Sequence, residues 1–397
     1  MSGALDGLRV LDLSWGIAGS MGVLLLAEQG ADVIKVEPPG GDPFREYSGH
    51  AVWNRSRRSV TIDLRHPEGV EAFLRLADHA DVVVETFRPG VTDRLGIGFD
   101  VLHARNPRLV YTSCPAYPEG HRLADQPGYD ALVQASSGQQ WEQPGWRLGP
   151  IFLALPLPSA AAMFLVPTGI LAALIAREET GRGQHVRTSL LQGVLLYTTQ
   201  IWSHVEHAQA DYHEVMSKSH PPGVHQEFLF EVESGDWVHT CIMSGLTPIR
   251  SQDDLIGLEG DPSDNERFAM LSEEERNQFT PRRRIAYKER DGDTLVEDFR
   301  ANNHAIEPVI SMEDALGGSG KPHPQLVANG MVATVEDPDL GTTTQIGVPI
   351  HLLGTPGGIQ GPRPRVGQHN DAIFGELGYT AEQISVITGA GITGAGR

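Results

Sequence analysis

The chain has 397 residues, 40% of them hydrophobic, with 51 acidic against 31 basic side chains and a formal net charge of -20. Length and composition predict a globular protein of about two domains, and the charge argues against nucleic acid or an anionic membrane surface as partner. No run approaches the ~20 apolar residues of a membrane span. The N-terminus enters a strand pattern directly, so no signal peptide is expected. The two cysteines, Cys114 and Cys241, lie far apart and offer no metal-ligand spacing. A cytoplasmic protein with reduced thiols, no metal and no tightly bound cofactor is the expectation.

Residues Leu8–Leu13 read as a buried strand, followed by a glycine-rich turn, a helix from about Met21 to Gln29, a C-cap at Gly30 and a second strand over Asp32–Glu37. The turn spaces its glycines as Gly16-x-x-Gly19-x-x-Gly22, which is not a dinucleotide fingerprint but is a possible anion seat. The alternation continues with strands at Ser59–Leu64, Asp81–Phe87 and Arg108–Ser113 and helices at Pro67–His79 and Phe99–Ala104. Strands alternating with helices predict an α/β fold with a parallel, Rossmann-like sheet. Ligands of such sheets sit beyond the carboxyl ends of strands, here the loops 14–20, 37–45, 86–94 and 114–130.

From Gln143 to Arg177 there is no Asp or Glu. The stretch reads as a buried turn of small residues, Pro158-Ser159-Ala160-Ala161-Ala162, entering an apolar helix that stops at Arg177-Glu178-Glu179. A further helix to about Ala208 closes the first part of a large domain (1–208). A smaller α+β domain is expected over 209–330, with an antiparallel strand pair in Phe228–Ile242, and the chain returns to the large domain over 331–397 through an amphipathic segment, Asp371–Ile384. His204, His207 and His213 do not repeat the i, i+4 spacing of a helical zinc site and read as surface residues. Arg282-Arg283-Arg284 reads as a solvated face or a subunit contact, and Cys114 as a buried structural thiol.

Several motifs together resemble the class III CoA-transferases, the formyl-CoA transferase and carnitine CoA-transferase group that also holds the α-methylacyl-CoA racemases. They are Leu5–Leu13, Gly30–Asp42, Arg57-Arg58-Ser59, Glu85–Gly90, Arg94-Leu95-Gly96, Gly128-Tyr129-Asp130, Gly169–Leu174, Thr180–Gln184 and Gly367-Gln368-His369-Asn370. The resemblance is dense over about 5–205, patchy over 330–390 and poor between. It implies a large Rossmann-like domain built from both chain ends, a small middle domain, and an interlocked-ring dimer. It also implies a CoA site: Ile17 and Ala18 in the CoA-contacting turn, Asn54 and Arg57 toward the nucleotide, Thr86, Phe87, Arg88 and Arg94 at the adenine and phosphates, and Tyr129 with Asp130 near the thioester. Surface ion pairing is the alternative for Arg57 and Arg94. Pro38 falls where some members carry a phosphate-binding Arg.

The resemblance also exposes a gap. Family transferases attack the acyl-CoA thioester with an Asp about ten residues before the glycine of the Gly169–Leu174 motif, a covalent route that divides one hard acyl transfer into easier steps. Here that place is Pro158 or Ser159, and the nearest acids are Glu142 and Glu178. A racemase needs the same Asp and a His where Tyr129 stands, so racemase activity is not expected. The reading is a CoA-transferase subunit that moves CoA between an acyl-CoA and a carboxylic acid, with a homologous subunit supplying the Asp. The alternatives are a silent acyl-CoA-binding or scaffold homologue, or an enzyme using Asp130 or Ser159 instead.

Overall fold

Short β-branched segments supply the sheet at the centre of the larger unit. In the computed structural model, which describes residues 3–142, 150–197, 229–241, 249–258, 282–316 and 322–388, they form β1 (Arg9–Asp12), β2 (Asp32–Glu37), β3 (Arg58–Thr61), β4 (Val82–Glu85), β5 (Val110–Ser113) and β6 (His185–Arg187). All pair in parallel, in the order β3-β2-β1-β4-β5-β6. Connections carry α1 (Gly16–Ala27), α2 (His50–Trp53), α3 (Pro67–Ala77), α4 (Val91–Arg94) and α5 (Phe99–Arg105). Between β5 and β6 lie α6 (Asp130–Ser136), α7 (Gln139–Glu142) and α8 (Leu157–Thr180), and α9 (Leu190–Tyr197) follows β6. One sheet face packs Leu11, Ile34, Val83 and Tyr111 against Phe73 and Leu76 of α3; the other packs Val10, Val33, Val82 and Val110 against α1 and α8. Helices on both faces are what a parallel sheet requires.

Strand order reverses between β1 and β4, which makes the loops after those two strands the topological switch point. The helix after β1 begins at Gly16 rather than near Met21, so the three spaced glycines lie within its first two turns. Their use is close packing: a Cβ on Gly22 would meet Val166 Cβ at 2.9 Å and the Met163 carbonyl at 3.0 Å, so α1 can lie directly on α8.

Helix α8 corrects one expectation from the sequence. At 24 residues it is long and apolar enough, by length and composition, to cross a membrane. Its small-residue side is seated instead on α1, α9 and the sheet, with Ala162, Val166, Ile170 and Ala173 buried. The small residues Pro158–Ala162 are already helical, so the anticipated turn is the first turn of α8. The helix ends at Thr180, where Gly181 turns left-handed at φ 70° and donates its N–H to the Arg177 carbonyl. The Arg177 side chain ties the last turn to Asp81 at 3.0 Å and to the Arg108 carbonyl at 3.2 Å.

Contacts divide the chain into a unit of 1–140, 152–199 and 324–397 and a second unit of 141–151 and 200–323. The second unit therefore starts and ends a few residues before the expected 209 and 330 and also takes 141–151. The return falls earlier because the helix Pro324–Ala328 is hydrogen-bonded to the start of a hairpin, through Met331 N–H to the Leu326 carbonyl, ahead of β10 (Val332–Asp337) and β11 (Gly341–Ile346). In the second unit, β7 (Leu229–Glu231), β8 (Trp237–Cys241) and β9 (Ala305–Pro308) are antiparallel. Its core stacks Phe230 on Tyr287 with centroids 3.9 Å apart. Arg283 belongs to that core edge and not to a solvated face, since its guanidinium donates to the buried Asp253 at 2.8 Å. His204, His207 and His213 and the end of the helix expected to reach Ala208 lie outside the described residues.

The segment 367–370 acts as a strap on β3, whose outer side is a sheet edge. His369 Nδ1 and Asn370 Oδ1 accept from the Ser59 and Thr61 N–H groups at 3.1 and 2.9 Å, and the His369 N–H donates to the Ser59 carbonyl at 2.9 Å. Burial, with Arg58 nearby, pushes the His369 imidazole below its usual value, which keeps it a neutral acceptor. An open edge row is thereby paired without another strand. Asn370→Ala removes the acceptor for Thr61 N–H and a bond to Thr61 Oγ1, and should cost about 1–3 kcal/mol in urea unfolding; an unchanged midpoint would show the strap to be idle.

Candidate active site

The switch-point loops are stitched to each other. The Trp15 N–H donates to Thr86 Oγ1 at 2.8 Å, and the Trp15 ring meets Phe87 edge-on with centroids 5.2 Å apart. A Cβ on Gly19 would fall 2.3 Å from Ser14 Cβ and 2.7 Å from Thr86 Cγ2, so only glycine lets the start of α1 close on the loop after β4. Arg88 then reaches the Asp125 carbonyl at 2.8 Å, which ties this pair to the loop that leads into α6. Of the residues expected at a CoA site, Thr86, Phe87, Arg88 and Arg94 share one loop and short helix, with both arginines exposed. Ile17 is half-buried and Ala18 buried, in the first turn of α1, which has no side-chain cap. What they can present to a ligand is the set of backbone N–H groups that a helix start leaves unpaired.

Asn54 and Arg57 are placed differently from that expectation: both are inside. The Arg57 side chain has no exposed surface; it pairs with Asp12 and donates to the Ser20 carbonyl, to the Trp53 carbonyl at 2.6 Å and to Asn54 Oδ1 at 3.1 Å. Its work is to bind the end of β1, the middle of α1 and the end of α2 together, not to meet a phosphate from solvent. Asp12 also accepts from the Ser14 N–H at 2.9 Å. Lys35 lies 3.7 Å from Asp12 and 3.1 Å from Asp42, and donates to the Ser14 carbonyl. Behind the switch-point loop there is thus a buried, mutually paired set of charges. Burial pushes Arg57 below its usual value, opposed by Asp12 and neighbouring carboxylates. Burial, with Arg45 and Lys35 nearby, takes His50 beside them down to about 3. A lysine within the strand Asp32–Glu37 was the one sequence signal for this network.

Glu85 closes β4 directly under the Thr86–Arg88 loop. It is 5% exposed, and its carboxylate accepts from the Phe87 N–H at 2.7 Å. Burial pushes it up to about 7, against the hydrogen bonds from Ser113 and the Phe87 N–H. Cys114, on the next strand's end, is 2% exposed and its thiol is pushed up to about 12, chiefly by burial, so it is an inert packed thiol.

The second half of the site lies at the N-terminus of α8. Tyr129 precedes α6 with 62% of its surface exposed, and Asp130 is the first residue of that helix. The half-buried Asp130 carboxylate spans Ser159, accepting from its N–H at Oδ1 and from its Oγ–H at Oδ2, both at 2.7 Å. Ser159 is 4% exposed and sits in the first turn of α8, whose own cap position, Pro156, supplies no side-chain hydrogen bond. A residue 29 positions away in sequence therefore caps this helix. One turn on, Gln134 is 1% exposed; its Nε2 donates to the Leu155 carbonyl at 2.8 Å while its Oε1 is without a partner among the described residues. The two replacements weighed separately in the sequence, Asp130 and Ser159, are thus one unit. Pro158, also buried, has no chemistry to offer there. Gln134 was missed, since an amide in a short helix carries no sequence signal.

The described residues hold no cluster of metal-ligating side chains. A family model described as CoA-transferase family III matches residues 5–370. The succinyl-CoA–D-citramalate CoA-transferase of Chloroflexus aurantiacus is 30% identical, with 96% of each chain covered. The formyl-CoA:oxalate CoA-transferase of Streptomyces coelicolor is 29% identical over 98% of this chain and 99% of that one. The crystal structure of Rv3272 from Mycobacterium tuberculosis superposes with a TM-score of 0.78 at 25% identity, covering 94% of this chain and 99% of that one. A CaiB/BaiF family protein from Brucella suis shares the fold with the same TM-score at 24% identity, covering 95% of this chain and all of that one (100%).

The two kinds of arginine should separate in a stability measurement. Arg57→Ala removes the closer of the two cations on the buried Asp12, leaving Lys35 at 3.7 Å, and should lower unfolding free energy by about 3 kcal/mol. Arg94→Ala, at an exposed position, should stay within about 0.5 kcal/mol of the parent. Equal effects in urea titrations would contradict the assignment of Arg57 to the interior.

Proposed function

Because the chain belongs to CoA-transferase family III, we propose that it moves CoA from an acyl-CoA thioester to a carboxylic acid at the switch point between β1 and β4. The observation that carries this reading is the stitched loop pair, Trp15 with Thr86 and Phe87, flanked by the exposed Arg88 and Arg94 in a protein of charge -20. CoA's phosphates suit guanidinium forks together with the open N–H groups at Ile17 and Ala18. Arg88, bonded to the Asp125 carbonyl, leads from that end toward Tyr129 and Asp130, where the thioester would lie. The relatives named above are transferases of succinyl-CoA with D-citramalate and of formyl-CoA with oxalate; only the shared chemistry, CoA passed between acids, is carried over.

The chain works in the cytoplasm and as an assembly with a second family chain. What supports assembly is the outer side of α8, where Phe164, Leu171 and Ile175 are 55%, 38% and 69% exposed at helical spacing; Leu196 and Tyr197 of α9 are exposed as well. Large apolar side chains left exposed along one helix are a mark of a contact surface. Whether that second chain is a copy or a homologue decides where the catalytic carboxylate comes from. The sequence favours a homologue with its own Asp; the Asp130–Ser159 pair favours this chain.

The reading is tested by calorimetry with CoA and by turnover of acyl-CoA and acid pairs by the purified chain, with and without a homologous subunit. CoA binding is expected, weakened about tenfold or more in Arg94→Ala, since a charged hydrogen bond contributes about 1.5–3 kcal/mol. A chain that binds no CoA would end the proposal, and one that binds CoA but turns over nothing in either setting is a silent homologue.

A further inference from the structure

We infer that Asp130 is the carboxylate nucleophile of this chain and that Ser159 positions it, an inference that rests on the CoA-transfer reading above. Three observations converge. The backbone position that the resemblance gives to the nucleophile falls here on Pro158 or Ser159, and both oxygens of the Asp130 carboxylate are bonded to Ser159 at 2.7 Å. A carboxyl group thus stands at that corner from α6, on the Asp of the Gly128-Tyr129-Asp130 motif. Asp130 is only half-buried and follows an exposed Tyr129, so the corner opens to a substrate. Independently, the Gln134 side chain is 1% exposed with its Oε1 unpartnered among the described residues, one helical turn from Asp130. A buried acceptor without a donor costs free energy unless something supplies one. The amide N–H groups of CoA's pantetheine arm are donors of the right kind.

The chemistry balances without a proton or an electron to place. Asp130 Oδ2 attacks the thioester carbonyl carbon, the Ser159 hydroxyl turning aside; the new C–O bond forms, the C–S bond breaks, and CoA leaves as its thiolate. The product is a mixed anhydride in which Oδ1 is the carbonyl oxygen, still bound to the Ser159 N–H. The thiolate attacks Cγ and expels the acyl group as a carboxylate, leaving an aspartyl-CoA thioester. An acceptor carboxylate attacks Cγ and releases the thiolate, which then takes the new acyl group and restores Asp130. Each attack on Cγ puts negative charge on Oδ1, where the Ser159 N–H is already aimed. A donor placed in advance of the charge it stabilises is an efficient form of catalysis.

A purely structural cap would show the same hydrogen bonds, so the test must read the covalent step. The full-length chain, with any homologous subunit it co-purifies with, is turned over with acyl-CoA and acid, quenched with hydroxylamine, digested and mapped by mass spectrometry. We expect a hydroxamate on Asp130. Asp130→Asn should abolish it while CoA binding persists. Ser159→Ala keeps the carboxylate and the backbone N–H donor and should still label Asp130, with turnover about tenfold slower for one lost hydrogen bond. Turnover with the adduct on another residue or on a homologous subunit would overturn the assignment and leave the CoA-transfer reading standing. So would full turnover by Asp130→Asn, or CoA binding by the parent chain with no adduct at all. Failure of the parent chain to bind CoA would instead remove the reading on which the inference rests.

Discussion

The loop after β1 can point into the switch-point crevice because charge is buried behind it. Arg57 and Lys35 converge on Asp12, all three side chains buried, and Arg57 also holds the Ser20 and Trp53 carbonyls. A buried ion pair contributes little net stability, but removing one partner is expensive, and that asymmetry makes a geometry singular. Here it joins three segments that the sheet alone would not register: the end of β1, the body of α1 and the short α2. The crevice wall made by Trp15, Thr86 and Phe87 depends on that register, and so does the seat of α1 on α8 through Gly22.

From that seat the position of α8 follows, and with it the place of Ser159. The helix start lacks a local side-chain cap, and Asp130 supplies one across the fold. One carboxylate therefore serves two ends. Its charge suits the positive end of the α8 dipole, and in the chemistry proposed above the same charge is the nucleophile. The fold asks only that some acceptor cap the helix; the reaction asks that it be a carboxylate with an open approach.

Much of the frame was legible in the residues, and the reasons are physical. Valine-rich runs punctuated by amphipathic segments such as Pro67–His79 favour a parallel sheet that buries both strand faces. Strands β1 to β5 fall within a few residues of those expected, whereas the short β6, His185–Arg187, was not anticipated. The misplacements share one cause, that tertiary contact outranks local pattern. Gly16 and Gly19 read as a loop by composition, yet they open α1, and a side chain at Gly19 would collide with Thr86. Arg57 reads as a surface cation by type, yet Asp12 takes it inside. Small residues at Pro158–Ala162 read as a turn, yet they begin a helix whose cap lies 29 positions earlier in the chain. No pattern in one strip of sequence announces a hydrogen bond made from another, which is why Asp130 and Ser159 appeared there as rivals.

The proposed chemistry depends on where the thioester sits. A crystal structure with an acyl-CoA analogue bound tests this most directly. It should place the thioester carbonyl carbon about 3–3.5 Å from Asp130 Oδ2, a near-attack distance, with the nucleotide against Arg88 and Arg94. A thioester lying well beyond reach of Asp130, or facing a carboxylate of a second subunit, would contradict it.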